Sequence, residues 1–177
     1  MGTTRIDQLD EVRRRIDRLQ ARAEVAVNGR NPRIRRQLDA LQNDEAALRA
    51  AVRQAPDEVE EKLAQLSTRL DVAEHALAAD VSDDWAAFAA AVTAELHSWD
   101  TYLERLQTSV ATQAWKARQR AEAAIGDLRD RRIAVGERLA EEAPVAAGDG
   151  RQEQRDRVTA ARNELEQKAN EMSTSGG

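Results

Sequence analysis

The chain has no cysteine, only two histidines and three prolines, and five aromatic residues in 177 positions. The lack of cysteine excludes a disulfide framework, a thiolate nucleophile and cysteine-built zinc sites. No apolar run approaches the roughly 20 residues that span a bilayer, and no basic–apolar–small leader opens the chain. The sequence therefore predicts a soluble, cytoplasmic protein. Leu, Ile, Val and Phe number 33, below the level of about one-fifth that accompanies disorder when net charge is high. Here the net charge is only -5 and the apolar residues recur at regular spacings, which is the mark of helix rather than disorder.

Alanine fills the gap with 34 residues. It favours helix and lets helices approach closely, but it builds a thin core. That thinness predicts self-association into a homo-oligomer. Arginine outnumbers lysine 24 to 3, which fits the coding bias of a GC-rich genome and does not by itself indicate guanidinium-specific recognition.

Helical periodicity runs from end to end. Ile6, Leu9, Ile16, Leu19, Ala23 and Ala26 form the first stripe, with Thr4 as N-cap and Asn28-Gly29 as stop. Asn31-Pro32 restarts the chain for the stripe Ile34, Leu38, Leu41, Leu48, Val52 and Ala55. Pro56 opens a third helix with Asp57, Glu58, Glu60 and Glu61 at the positive end of its dipole, followed by Val59, Leu63, Leu66, Leu70, Ala73 and Leu77. Ser82-Asp83-Asp84 is a fourth start, leading into Trp85, Ala89, Val92, Leu96, Trp99, Leu103, Leu106 and Val110. The pattern continues through Ala114, Ala117, Ala121, Ala124, Leu128, Val135 and Leu139. Gly148-Asp149-Gly150 reads as a loop, and Asp149 with Gln152 as a capping box. A final helix carries Val158, Ala161, Leu165, Ala169 and Met172.

Residues 83–142 as one helix would reach ~90 Å, more than three shorter helices can cover. Either the rod breaks, first at Thr108–Thr112 and second at Gly126, or half of it projects and pairs with the last helix as a hairpin. Charge is segregated along the chain, +4 over 1–56, -9 over 57–112 and zero over 113–177. Basic helices one and two laid against acidic helices three and four would account for this.

Catalytic and cofactor signatures are missing. There is no phosphate loop, dinucleotide fingerprint or H-E-x-x-H, and no E-x-x-H of the di-iron bundles. His75 and His97 lie on separate helices, with no cysteine partner anywhere in the chain. No catalytic, cofactor or metal residue is assigned, and the chain reads as non-enzymatic.

The aromatic residues all fall between positions 85 and 115. Trp85 with Phe88, and Trp99 with Tyr102, are i,i+3 pairs 14 residues apart, so they return to within ~40° of one direction. This strip either anchors the core or lines a groove for a partner helix. Trp115 lies ~160° from Trp99 on a straight helix and is followed by Lys116, Arg118 and Arg120. It is either an exposed binding residue beside cations or, if a break resets the phase, part of another core. Arg14, Arg18 and Arg22 make an i,i+4,i+8 row within an arginine-rich stretch that also holds Arg13, Arg15, Arg30, Arg33, Arg35 and Arg36. Such a row suits phosphates or an anionic membrane. Without interleaved aromatics, and with a pI of 5.2, it points instead to an acidic protein partner or to the chain's own acidic middle.

The expected protein is an all-α antiparallel bundle of five or six helices with coiled-coil packing, and one long helix or extended hairpin in its C-terminal half. Residues 1–110 form the bundle, 111–172 a helical hairpin extension and 173–177 a disordered tail. Its expected role is that of a non-catalytic scaffold, adaptor or assembly subunit contacting proteins through Arg14, Arg18, Arg22, Trp115, Lys116 and Arg118. The alternative is a peripheral binder of membrane or nucleic acid through the N-terminal arginines.

Overall fold

The structure, a computed structural model, describes residues 4–27, 31–52, 56–111, 113–143 and 151–175. These residues form six helices and no strand: α1 (Arg5–Val27), α2 (Pro32–Ala51), α3 (Pro56–Asp80), α4 (Trp85–Val110), α5 (Trp115–Glu142) and α6 (Arg151–Ser175). The chain divides into two compact units, Met1–Ser82 and Asp83–Gly177.

Side chains that capture orphan N–H groups fix the helix starts. The Thr4 hydroxyl accepts from the Asp7 N–H at 3.2 Å, while Asp7 Oδ2 accepts from the Thr4 N–H at 2.8 Å and from its hydroxyl at 2.7 Å. This is a capping box with Asp in the usual Glu position. The hydroxyl hydrogen bond, then the backbone one, holds the Asp7 carboxyl below its ordinary pKa. Asn31 accepts from the N–H groups of Arg33 and Ile34, with Pro32 at the first helical position. Asp84 accepts from the Ala87 N–H at 2.8 Å. The expected stop at Asn28-Gly29, the loop at Gly148-Asp149-Gly150 and the cap at Asp149 lie outside the described residues. Gln152 donates its side-chain amide to Asp156.

In the first unit the ion pairs give the directions of the helices. Asp10 pairs with Arg49 and Arg13 with Glu45, so α1 and α2 are antiparallel. Asp44 pairs with Arg69 and Arg33 with Asp80, which makes α2 and α3 antiparallel as well. Arg5 reaches Glu60 and Arg15 reaches Asp71 and Glu74, so α1 and α3 run together. The result is an up-down-up bundle around Leu9, Ile16, Leu19, Ile34, Leu41, Leu66, Leu70 and Leu77. The expected stripes fill this core except at the ends of α1, where Ile6 is 57% exposed and Ala26 is exposed, and at the end of α2, where Val52 is partly buried and Ala55 lies outside the described residues.

The second unit repeats the topology. Asp100 pairs with Arg132 and Gln107 accepts from Arg129, while Asp127 pairs with Lys168 and Arg131 with Glu164. These pairs make α4/α5 and α5/α6 antiparallel. Arg155 over Phe88 and Arg162 beside Glu95 then run α6 parallel to α4. Phe88, Val92, Leu96, Trp99, Leu103, Ile125, Leu128, Val135, Val158 and Leu165 are buried.

Residues 83–142 are two helices rather than a single rod, and the break falls in the expected run of poor helix formers. The Thr108 hydroxyl turns back onto the Glu104 carbonyl, and the Ala111 N–H is shared between the carbonyls of Gln107 and Thr108. The expected boundary at 110/111 lies inside the second unit, at the α4–α5 turn. There α5 and α6 pair as a hairpin but share their core with α4. The tail expected to be disordered from 173 keeps helical backbone as far as Ser175.

Gly126, the second candidate break, stays within α5, and a Cβ built there meets nothing within 4 Å. Gly126→Ala is therefore expected to stabilise the protein by about 0.5–1 kcal/mol, because it removes backbone freedom from the unfolded chain without a clash. Urea denaturation followed by circular dichroism measures this.

Candidate functional site

The N-terminal arginine row is drawn into contacts within its own unit. Arg14 and Arg18 converge on one carboxylate, that of Glu11, at 2.9 and 3.0 Å. The hydrogen bond from Arg18, then the positive charge of Arg14, holds the Glu11 carboxyl below its ordinary pKa against slight burial. Arg13 spans Asp17 and Glu45, both at 3.3 Å. Arg15 holds Asp71 at 2.6 Å and Glu74 at 3.0 Å. Arg33 is buried against Asp80, to which the Asn31 amide also donates. Basic α1 and α2 thus neutralise acidic α3, as the charge segregation predicts. The carboxylates of α4 are matched differently: Glu95 and Asp100 pair with Arg162 of α6 and Arg132 of α5. Of the predicted row, Arg22 is exposed and makes no ion pair among the described residues.

The aromatic strip is core. Phe88, Trp99 and Tyr102 are buried and Trp85 is half-buried. The ring centroids lie 5.6 Å apart in the first pair and 5.8 Å in the second, which is edge-on. Such tilted contacts suit the ring quadrupoles.

Trp115 is the exception, at 64% exposure. It is the first residue of α5, behind a break that removes it from the register of α4. Ala114 provides no side-chain cap and the first turn carries no acid. The Arg118 guanidinium sits 5.8 Å from the Trp115 ring centroid and donates to the Ala111 carbonyl at 3.4 Å. Lys116 and Arg120 are exposed and form no ion pair among the described residues. None of residues 115–124 is buried, and the core side of α5 begins at Ile125. The structure thus brings Trp115 together with Arg118 in the second unit, and Arg14 with Arg18 in the first.

A buried ion pair that the spacing of the sequence does not reveal joins α4 to α6 in the second unit. Arg162 has a side chain 0% exposed and Glu95 one 2% exposed, with guanidinium nitrogens 2.7 Å from Glu95 Oε2. His97 is exposed and His75 half-buried. Among the described residues, no three His, Cys, Asp or Glu side chains group so as to hold a metal, and no helix is long and apolar enough to cross a membrane. Compared with models of known protein families, with curated proteins and with solved structures, the chain matches none.

Proposed function

We propose that the protein is a non-catalytic helical scaffold or adaptor that acts through protein–protein contacts, with the start of α5 as a principal contact. The observation that carries this is the exposure of Trp115 in a chain that otherwise spends its few rings on packing. A large ring beside cations is the side-chain set that dominates binding energy at protein interfaces. The reading includes coiled-coil packing, self-association and a cytoplasmic setting. For the packing, the support is the seven-residue spacing of buried residues, as in Leu9, Ile16 and Ala23 or Leu63, Leu70 and Leu77. The alternative use of Arg14, Arg18 and Arg22 on an anionic surface has less support, since Glu11 already occupies two of the three.

The test is a photo-crosslinking residue at Gln119, an exposed neighbour of Trp115, in the full chain inside its own cells. Ala134, exposed further along α5, serves as control. Discrete protein adducts from 119 and not from 134, lost on Trp115→Ala, are expected. Equal labelling from both positions, or turnover of a small molecule by the purified chain, overturns the reading.

A further inference from the structure

We propose that the first two turns of α5 dock an acidic protein segment, an extended run of Asp and Glu carrying one apolar side chain. This rests on the protein-contact reading above and adds the chemistry of the partner. Ile125 and Leu128, at 2% and 0% exposure, mark the core side of α5. At ~100° per residue, Trp115, Lys116, Gln119, Arg120 and Ala123 lie on the opposite side, and all five are exposed. From 113 to 121 the only charges are Lys116, Arg118 and Arg120, and the first carboxylate is Glu122. In the first unit most described arginines are matched by carboxylates of their own bundle, whereas Lys116 and Arg120 are matched by none among the described residues. The positive end of the helix dipole adds to the same field. Trp115 supplies the apolar contact, with Arg118 stacked on its ring.

The shape of the patch selects a peptide over other polyanions. Beyond Arg120 the same outward side carries Asp130, exposed and in no ion pair among the described residues, which would repel a phosphate backbone running along the helix. The cationic stretch is therefore only about 11 Å long, the span of a few extended residues. Within these two turns the outward side offers, apart from Trp115, only Gln119 and Ala123, and the next exposed large apolar residue, Ile133, lies about 27 Å further along the helix, so no compact apolar face is presented to a bilayer.

The experiment titrates the full chain at low salt with a labelled peptide of Asp and Glu around one Leu, read by fluorescence anisotropy. Probes for comparison are the same peptide with Asn and Gln, phosphatidylserine vesicles and a short single-stranded oligonucleotide. Saturable binding of the acidic peptide alone is expected. Trp115→Ala and the pair Lys116→Glu, Arg120→Glu should each weaken it about tenfold, with helicity unchanged, while Arg14→Glu leaves it intact. No binding at millimolar peptide, equal binding of the neutral peptide, or tighter binding of vesicles or oligonucleotide overturns the proposal. Self-association that Trp115→Ala abolishes, without peptide binding, gives the surface to a second copy and also overturns it. If peptide binding fails while the crosslinks from 119 persist, only the acidic assignment falls; if both fail, so does the protein-contact reading.

Discussion

Arg162→Met alone is expected to destabilise the second unit by about 3–5 kcal/mol, because it takes the guanidinium away from a carboxylate that stays buried. Two guanidinium nitrogens of Arg162 converge on one Glu95 oxygen, and the same group lies 5.8 Å from the Phe88 ring centroid, with no solvent on the arginine side chain. Glu95→Leu alone takes the Oε2 acceptor away from a guanidinium with no solvent on it and should also destabilise the unit. The double variant Glu95→Leu, Arg162→Met should instead return close to the parent, since removing both charges also removes the cost of desolvating them. The sign of the coupling is the test: the double variant must be more stable than either single one. Urea unfolding followed by tryptophan emission reads the correct unit, because all three tryptophans lie beyond residue 82. Additive losses would mean that the two groups do not depend on each other.

Where the chain is locally punctuated, the fold was legible. Thr4, Asn31-Pro32, Pro56 and Asp84 each start a helix where the sequence places one, and the Thr108–Thr112 run ends α4. What could not be read was the grouping of α4 with α5 and α6, because pairings such as Glu95–Arg162 join residues 67 apart. A signal for that pair was nevertheless present. Glu95 stands in the stripe Phe88, Val92, Trp99, Tyr102, and Arg162 stands between Val158 and Leu165. A charge in an apolar stripe on each of two helices is a reason to look for a buried pair. Glu45 repeats the signal between Leu41 and Leu48, and is buried under Arg13 and Arg49. Trp115 was ambiguous in sequence for one reason: its direction depends on where α4 stops, and a break of a few residues erases the phase relation to Trp99. The arginine row was visible as a pattern, yet its occupation by Glu11 is a matter of rotamers that spacing does not dictate.

Leu70→Ala is expected to cost the first unit about 3–5 kcal/mol, in the upper part of the range for buried leucine truncations. Leu70 is 0% exposed, at the middle of α3 in the cluster that includes Ile16, Leu41, Leu66 and Ala73. The cost depends on how far the surroundings collapse into the space left behind. Here Ala73, the cluster member at i+3 on the same helix face, has only a methyl group, with no rotamer that could fill it. Leu70→Met, which nearly conserves volume, should lose less than about 1.5 kcal/mol. Ile6→Ala provides the contrast, since Ile6 sits on the sequence stripe of α1 but is 57% exposed, and about 0.5 kcal/mol or less is expected for a surface site. Circular dichroism is the required probe, because no tryptophan reports on this unit. An alanine-rich bundle that tolerated Leu70→Ala as easily as Ile6→Ala would be held by its ion pairs rather than by its leucines, and the steep difference expected between the two substitutions would vanish.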